Sequence, residues 1–148
     1  MQASDSDGDL AGIVAAVRVA NLSMMAGNSG PWKALLSPRD DVVLLGAFGG
    51  HIRDRAEVDA RFDQTARAYG GGDDLDVELL ASWVGADLAC TVELERHPGV
   101  RLAGHAPTTT IYRVTHVFRR EDDGWRVVLR HADPLVDFRG PESVLPQG

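Results

Sequence analysis

The sequence predicts an α+β fold, with helices in the first half of the chain packed on a curved, mostly antiparallel sheet made from the second half. Three observations carry this. Apolar residues between Leu10 and Met25 recur at helical spacing. From Asp76 onward, apolar and polar residues alternate with period two. The stretch Thr109 to Leu135 reads as two long strands joined by the acidic turn Glu121-Asp122-Asp123-Gly124.

Residues 1–9 are small, acidic and polar, and read as a loose terminus. Leu10, Ile13, Val14, Val17, Ala20, Leu22, Met24 and Met25 then form a helical stripe, which Gly27-Asn28-Ser29-Gly30 ends. Pro31 suits the first turn of a short helix through Leu36. Val42 to Phe48 is a continuous apolar run, read as a buried strand broken by Gly49-Gly50. A third helix follows His51–Arg55 and runs to about Tyr69, with Ile52, Val58, Phe62, Thr65 and Ala66 as its inner side; Gly70-Gly71-Gly72 stops it. Asp76 to Trp83 and Leu88 to Glu95 form a hairpin, His97 to Thr108 a loop, and the final hairpin ends near Leu135. Residues 136–148 read as a second loose terminus, leaving 1–148 as one domain.

The totals exclude several classes. A net charge of -7 opposes non-specific nucleic-acid binding, which needs a basic surface. No apolar run approaches the ~20 residues that span a bilayer, so no membrane is expected. The acidic start is unlike a secretory signal, and a cytoplasmic, reducing location is the expectation. Cys90 is alone, in an apolar run, and reads as a packed thiol.

This order of elements, together with Val42–Gly50 (VVLLGAFGG) and VTHVFRREDDGWRVVLRHADP, resembles the nuclear transport factor 2-like superfamily, and within it the SnoaL-like and ketosteroid-isomerase-like small bacterial proteins. The resemblance implies a cone-shaped barrel with a pocket between the helices and the concave sheet face. It also implies homodimers paired through the convex face. Members isomerise, cyclise or dehydrate small molecules, or only bind or associate, so the fold does not settle function. The steroid isomerase's tyrosine, base and oxyanion-donor positions fall near Ala20, Leu44 or Leu45, and Arg113 or Val114, so that constellation is not retained.

On regular strands, Tyr112, Val114, His116 and Phe118 share one face, and Trp125, Val127, Leu129 and His131 share another that is expected to join it. His131 and Asp133 are two apart. A carboxylate beside an imidazole orients it and raises its pKa, which prepares a general base. His131, Asp133 and His116 are therefore the candidate catalytic residues. The alternative has His131 bonded to backbone, Asp133 capping the Pro134 turn and His116 serving as a core histidine. Trp32, Phe48, Trp83, Tyr112 and His51 are the candidate ligand-binding residues, with plain core as their alternative. No HxH, HxxxH or HExxH spacing occurs, so neither a metal nor another cofactor is expected. Arg113, Thr115, Val117, Arg119, Arg126, Val128 and Arg130 form the expected outer face, suited to a homodimer contact. The sequence thus points to a protein with an apolar pocket for a small organic ligand. Cofactor-independent isomerase, cyclase or dehydratase chemistry stays open; the alternative is a non-catalytic association or ligand-sensing module.

Overall fold

A computed structural model describes residues 2–147, with side chains from Asp9 onward. Helix α1 spans Gln2–Met25. It begins well before the apolar stripe, so residues 2–9 are helical rather than loose. Ile13, Val17, Ala20 and Met24 are its buried side. Gly27, at φ 91°, ends it by donating to Met24 O at 2.9 Å, a left-handed cap that glycine adopts without strain. Helix α2 is Gly30–Leu35, with Pro31 in its first turn.

The apolar run at 42–48 yields only a short strand, β1 (Val43–Leu45). The chain turns at Gly46–Gly49, where Gly49 N–H bonds Gly46 O. It returns as β2 (Ile52–Arg53), antiparallel to β1. Helix α3 is Arg55–Ala68, and the Asp54 carboxylate caps it by accepting from Glu57 N–H at 2.9 Å. The remaining strands are β3 (Asp76–Val84), β4 (Leu88–Val100), β5 (Thr108–Glu121) and β6 (Gly124–Pro134). The sheet order is β2-β1-β6-β5-β4-β3, antiparallel except for β1 beside β6.

Two bulges correct the sequence reading. His97 lies in β4 rather than in a loop, because the strand continues past Pro98-Gly99 to Val100 through a register shift. Gly99 has φ 65°, and a side chain there would collide with the Asp73 carboxylate. In β6, Val117 pairs with Leu129 but Phe118 pairs with Val127, so Val128 is an extra residue. Every side chain beyond it changes face. Trp125 and Val127 point inward as expected; Arg130 and Ala132 then point inward in place of Leu129 and His131.

The helices cover the concave face. Trp32 of α2 stacks on Phe62 of α3, ring centroids 5.3 Å apart, and both are buried with Phe118 and Val127. Burying each such side chain contributes about 2–3 kcal/mol. Arg119 ties the turn of the last hairpin to the segment before β1 through Asp41, Glu121 and Ser37. After Pro134 the chain is irregular, with a single 3-10 turn at Pro141–Val144. Among the described residues no helix is long and apolar enough to cross a membrane.

Candidate functional site

On the concave face, Glu95 of β4 is fully buried, and its carboxylate collects donors from three elements, β6, α1 and β4 itself. Arg130 Nη1 and Nη2 donate to its two oxygens at 2.9 and 3.0 Å. Asn21 Nδ2 of α1 donates at 3.1 Å, and His97 Nε2 at 3.3 Å. Trp32 Nε1 donates to Asn21 Oδ1 at 2.9 Å, which fixes the amide's orientation. The Arg130 guanidinium lies 5.3 Å over the Trp32 ring. Its Nη1 also donates to His116 Nε2 at 2.9 Å. His116 therefore carries its proton on Nδ1, which faces Glu93 at 3.6 Å.

These contacts set the charges. Burial alone raises the Glu95 carboxyl, but the charge and hydrogen bonds of Arg130 overturn that and hold it well below the usual range. Glu93, beside it, is raised to about 7 by burial and by the Glu95 charge, and shares a hydrogen bond with Glu95. Burial and the Arg130 charge push His116 down to about 3, so it is a neutral imidazole. Ligand atoms of Glu93, Glu95 and His116 lie within 4.8 Å of one another. Arg130 already occupies both Glu95 oxygens and His116 Nε2, so a guanidinium stands where a cation would bind.

A small cavity of about 60 Å³ adjoins this network. The β1–β2 turn, α3 and the inner sheet face enclose it, with Phe48, Arg61, Thr65, Tyr69, Tyr112 and Arg130 on its walls. A second chamber of about 50 Å³ shares Thr65, Tyr69 and Arg130 and reaches Trp32 and His97. The Tyr69 and Tyr112 hydroxyls are 3.4 Å apart. Burial, then the neighbouring Tyr112, raises the Tyr69 phenol far above its usual value, so it stays a neutral donor. His97 packs edge-on against Tyr112 at 5.2 Å, with Nδ1 2.9 Å from Met25 Sδ.

The structure divides the residues expected from sequence. Tyr112, Phe48 and Trp32 line the two chambers, with Phe48 at the mouth and 53 % exposed. His116 is buried behind Arg130 and lines neither. His131 and Asp133 are on the outer face, because the Val128 bulge turned them there. Their side chains are 3.9 Å apart, and Asp133 is held by two bonds from Arg113, at 2.8 and 3.0 Å. Trp83 is also on the outer side, opposite Cys90, and 63 % exposed. His51 is exposed before β2, away from both chambers. Arg130, assigned to the outer face by alternation, is the centre of the inner network.

Sequence reasoning missed Glu93, Glu95, His97, Asn21 and Tyr69. The signal was present in β4, where Thr91, Glu93, Glu95 and His97 alternate with Cys90, Val92 and Leu94. Such a pattern ordinarily places the polar set in water. Here it is buried, since His116 of the neighbouring β5 and Arg130 of β6, one strand further, supply partners.

The chain matches the SnoaL-like domain over residues 13–136. None of the curated proteins matches it. Among solved structures, it is similar to a protein of Thiobacillus denitrificans ATCC 25259 conjecturally named a calcium/calmodulin-dependent protein kinase type II association domain. The identity is 28 % over 82 % of this chain and 94 % of that one, with TM-score 0.68. A ketosteroid isomerase-like protein of Erwinia carotovora atroseptica SCRI1043 is 18 % identical over 86 % of this chain and 97 % of that one, TM-score 0.69. A nuclear transport factor 2-like superfamily protein of Salmonella enterica serovar Typhimurium LT2 is 16 % identical over 92 % and 97 %, TM-score 0.70. With helices on a bent six-stranded sheet and a domain match across most of its length, the chain belongs to the SnoaL-like domain family and has the nuclear transport factor 2-like fold.

Proposed function

We propose that this protein binds a small organic molecule in the cavity between the β1–β2 turn, α3 and the inner sheet face. One observation carries the reading: the cavity abuts an ordered polar network whose arginine and tyrosine groups have donors left to give. A packed core has no use for such groups, because unspent buried donors cost free energy. At about 60 Å³ the space is far below the ~300 Å³ of a drug-sized site, so the ligand is small or only partly enclosed. The walls are also more polar than the apolar pocket expected from sequence. Turnover by isomerisation, cyclisation or dehydration would draw on His97, the imidazole that the inner chamber reaches and that Glu95 orients.

The test is a screen of small polar fragments followed by amide chemical shifts. Binders should perturb Ala47, Gly49 and Arg61, and Ala47→Trp should abolish the effect by filling the mouth. Fragments that never map there, or that bind Ala47→Trp as well as the wild type, would sink the proposal.

The outer sheet face favours a second reading, which is compatible with the first. Trp83, Cys90, Val117 and Leu129 form a row across four strands, and Leu80 and Leu88 are exposed near it. This supports a homodimer through that face, and an association role like the one in the Thiobacillus protein's name. A chain that associates without binding fragments would favour this reading alone.

A further inference from the structure

The donors and acceptors on the cavity wall are unequal. A guanidinium has five N–H donors. Arg130 commits three hydrogen bonds to Glu95 and His116. Its Nε–H and the second Nη2–H have no acceptor among the described residues. The Tyr69 and Tyr112 hydroxyls share one hydrogen bond, which leaves one O–H proton unspent. Arg61 reaches the cavity from α3 and makes no ion pair among the described residues. On the other side of the balance, no carboxylate lines the cavity. Glu95 is turned away, its oxygens taken by Arg130, Asn21 and His97. Thr65 is the one wall side chain besides the tyrosines that can accept.

We infer that the ligand of this cavity is a short-chain organic carboxylate, its oxygens bonded between Arg61, Arg130 and the tyrosine hydroxyls, and its carbon end against Leu44, Phe62 and Ala132. The inference rests on the cavity being the ligand site. An acceptor-only head group is the complement of a wall with surplus donors, and a planar two-oxygen head suits a guanidinium. A neutral amide or alcohol would bring donors for which the wall side chains offer only the Thr65 and tyrosine oxygens, and would leave more of the wall's own donors unmet. Size narrows the class further. Each water-sized occupant needs about 10–15 Å³, so 60 Å³ holds about four to six non-hydrogen atoms. That is a carboxylate with a few carbons, and a longer acid would extend past Phe48 into solvent.

The test is an NMR titration of the labelled protein with sodium propionate, with propionamide as the neutral isostere and sodium chloride matching ionic strength. Propionate should saturably shift the Ala47 and Gly49 amides and the Arg130 Nε–H, and propionamide should bind about tenfold or more weakly. Arg61→Gln, at the half-buried mouth and outside the Glu95 network, should weaken propionate about tenfold and leave propionamide unchanged. Tyr69→Phe should weaken propionate less. Equal affinity for acid and amide, or an Arg61→Gln protein that binds propionate normally, overturns the carboxylate assignment and leaves the cavity as a ligand site. If neither compound perturbs the cavity while other fragments do, the carboxylate assignment again falls alone. If nothing binds there, both conclusions fall.

Discussion

Arg130 pairs directly opposite His116 across β5 and β6, although two pairs further along the hairpin Phe118 faces Val127. The numbering disagrees by one because Val128 is inserted between the two registers. Because Val128 is left out of the alternation, Arg130 rather than His131 turns inward. Deleting Val128 leaves Val127 inward, Leu129 outward and Arg130 inward on a regular strand, so the Arg130–Glu95 pair should persist. The deletion is therefore expected to keep cooperative urea unfolding. Val128→Ala keeps the residue count and should cost no more than about 1.5 kcal/mol. Loss of cooperative unfolding on deletion would show that the bulge itself is needed to hold Arg130 inward.

The Arg130–Glu95 pair makes a separate demand. Glu95→Gln keeps the shape but leaves the guanidinium charge buried without a carboxylate. Removing one partner of a buried pair costs about 3–5 kcal/mol. The expected result is a lower denaturation midpoint by that amount, with an unchanged dependence on denaturant. A loss below about 1 kcal/mol would mean that the pair is solvated, as exposed pairs are.

Glu93 predicts a pH dependence of defined sign. Its carboxyl titrates near 7 in the folded protein against an ordinary 4.5. Its contribution to stability is full below 4.5, where both states hold the proton. It fades as pH rises through about 7, where the folded state must release it. The shift corresponds to about 3 kcal/mol. His116 acts in the opposite sense: held near 3 instead of 6.5, it stabilises above 6.5 and loses that effect as pH falls toward 3. The two slopes oppose each other between 4.5 and 6.5, so the wild-type curve alone hides both. Glu93→Gln cannot titrate, so the variant's stability minus that of the wild type should rise by about 3 kcal/mol from pH 4.5 to 8. A flat difference across thermal melts in that range would remove Glu93 from the account.

The fold was legible because its signals are long. The α1 stripe, the Gly-rich stop after α3 and the final hairpin span many residues, and small errors at their ends do not change the layer arrangement. The site was less legible because it depends on single residues. Strict alternation put His131 and Asp133 inside, and one bulge residue moved both out. Glu93 and Glu95 looked solvent-facing because the partners that allow their burial, the Arg130 charge and the polar groups of His116 and Asn21, come from β6, β5 and α1, far away in sequence. Tyr112, Phe48 and Trp32 lie on the chamber walls, the side on which the sequence pattern placed them, because no bulge separates them from that pattern.

His131 provides a direct contrast with the network. It lies on the outer face beside Asp133, which Arg113 already holds in a two-pronged exposed contact. His131→Ala removes no buried group and touches neither chamber. It should change fragment or propionate affinity less than twofold and stability by less than about 0.5 kcal/mol. A tenfold loss of binding in the titration would return the ligand site to the outer face.

Trp83 tests the outer face as an interface. Its side chain is mostly exposed, and its neighbours across the sheet are Cys90, Val117 and Leu129. An apolar row of this kind is covered when two copies pack face to face, and aromatic residues often anchor such contacts. Trp83→Asp would place a charge in the centre of that contact, where burying it without a partner is unfavourable. Sedimentation equilibrium should give twice the chain mass for the wild type and the single-chain mass for the variant. The variant should keep a native circular dichroism spectrum, because Trp83 contributes little to its own core. A wild type that sediments as a monomer at tens of micromolar would refute pairing through this face.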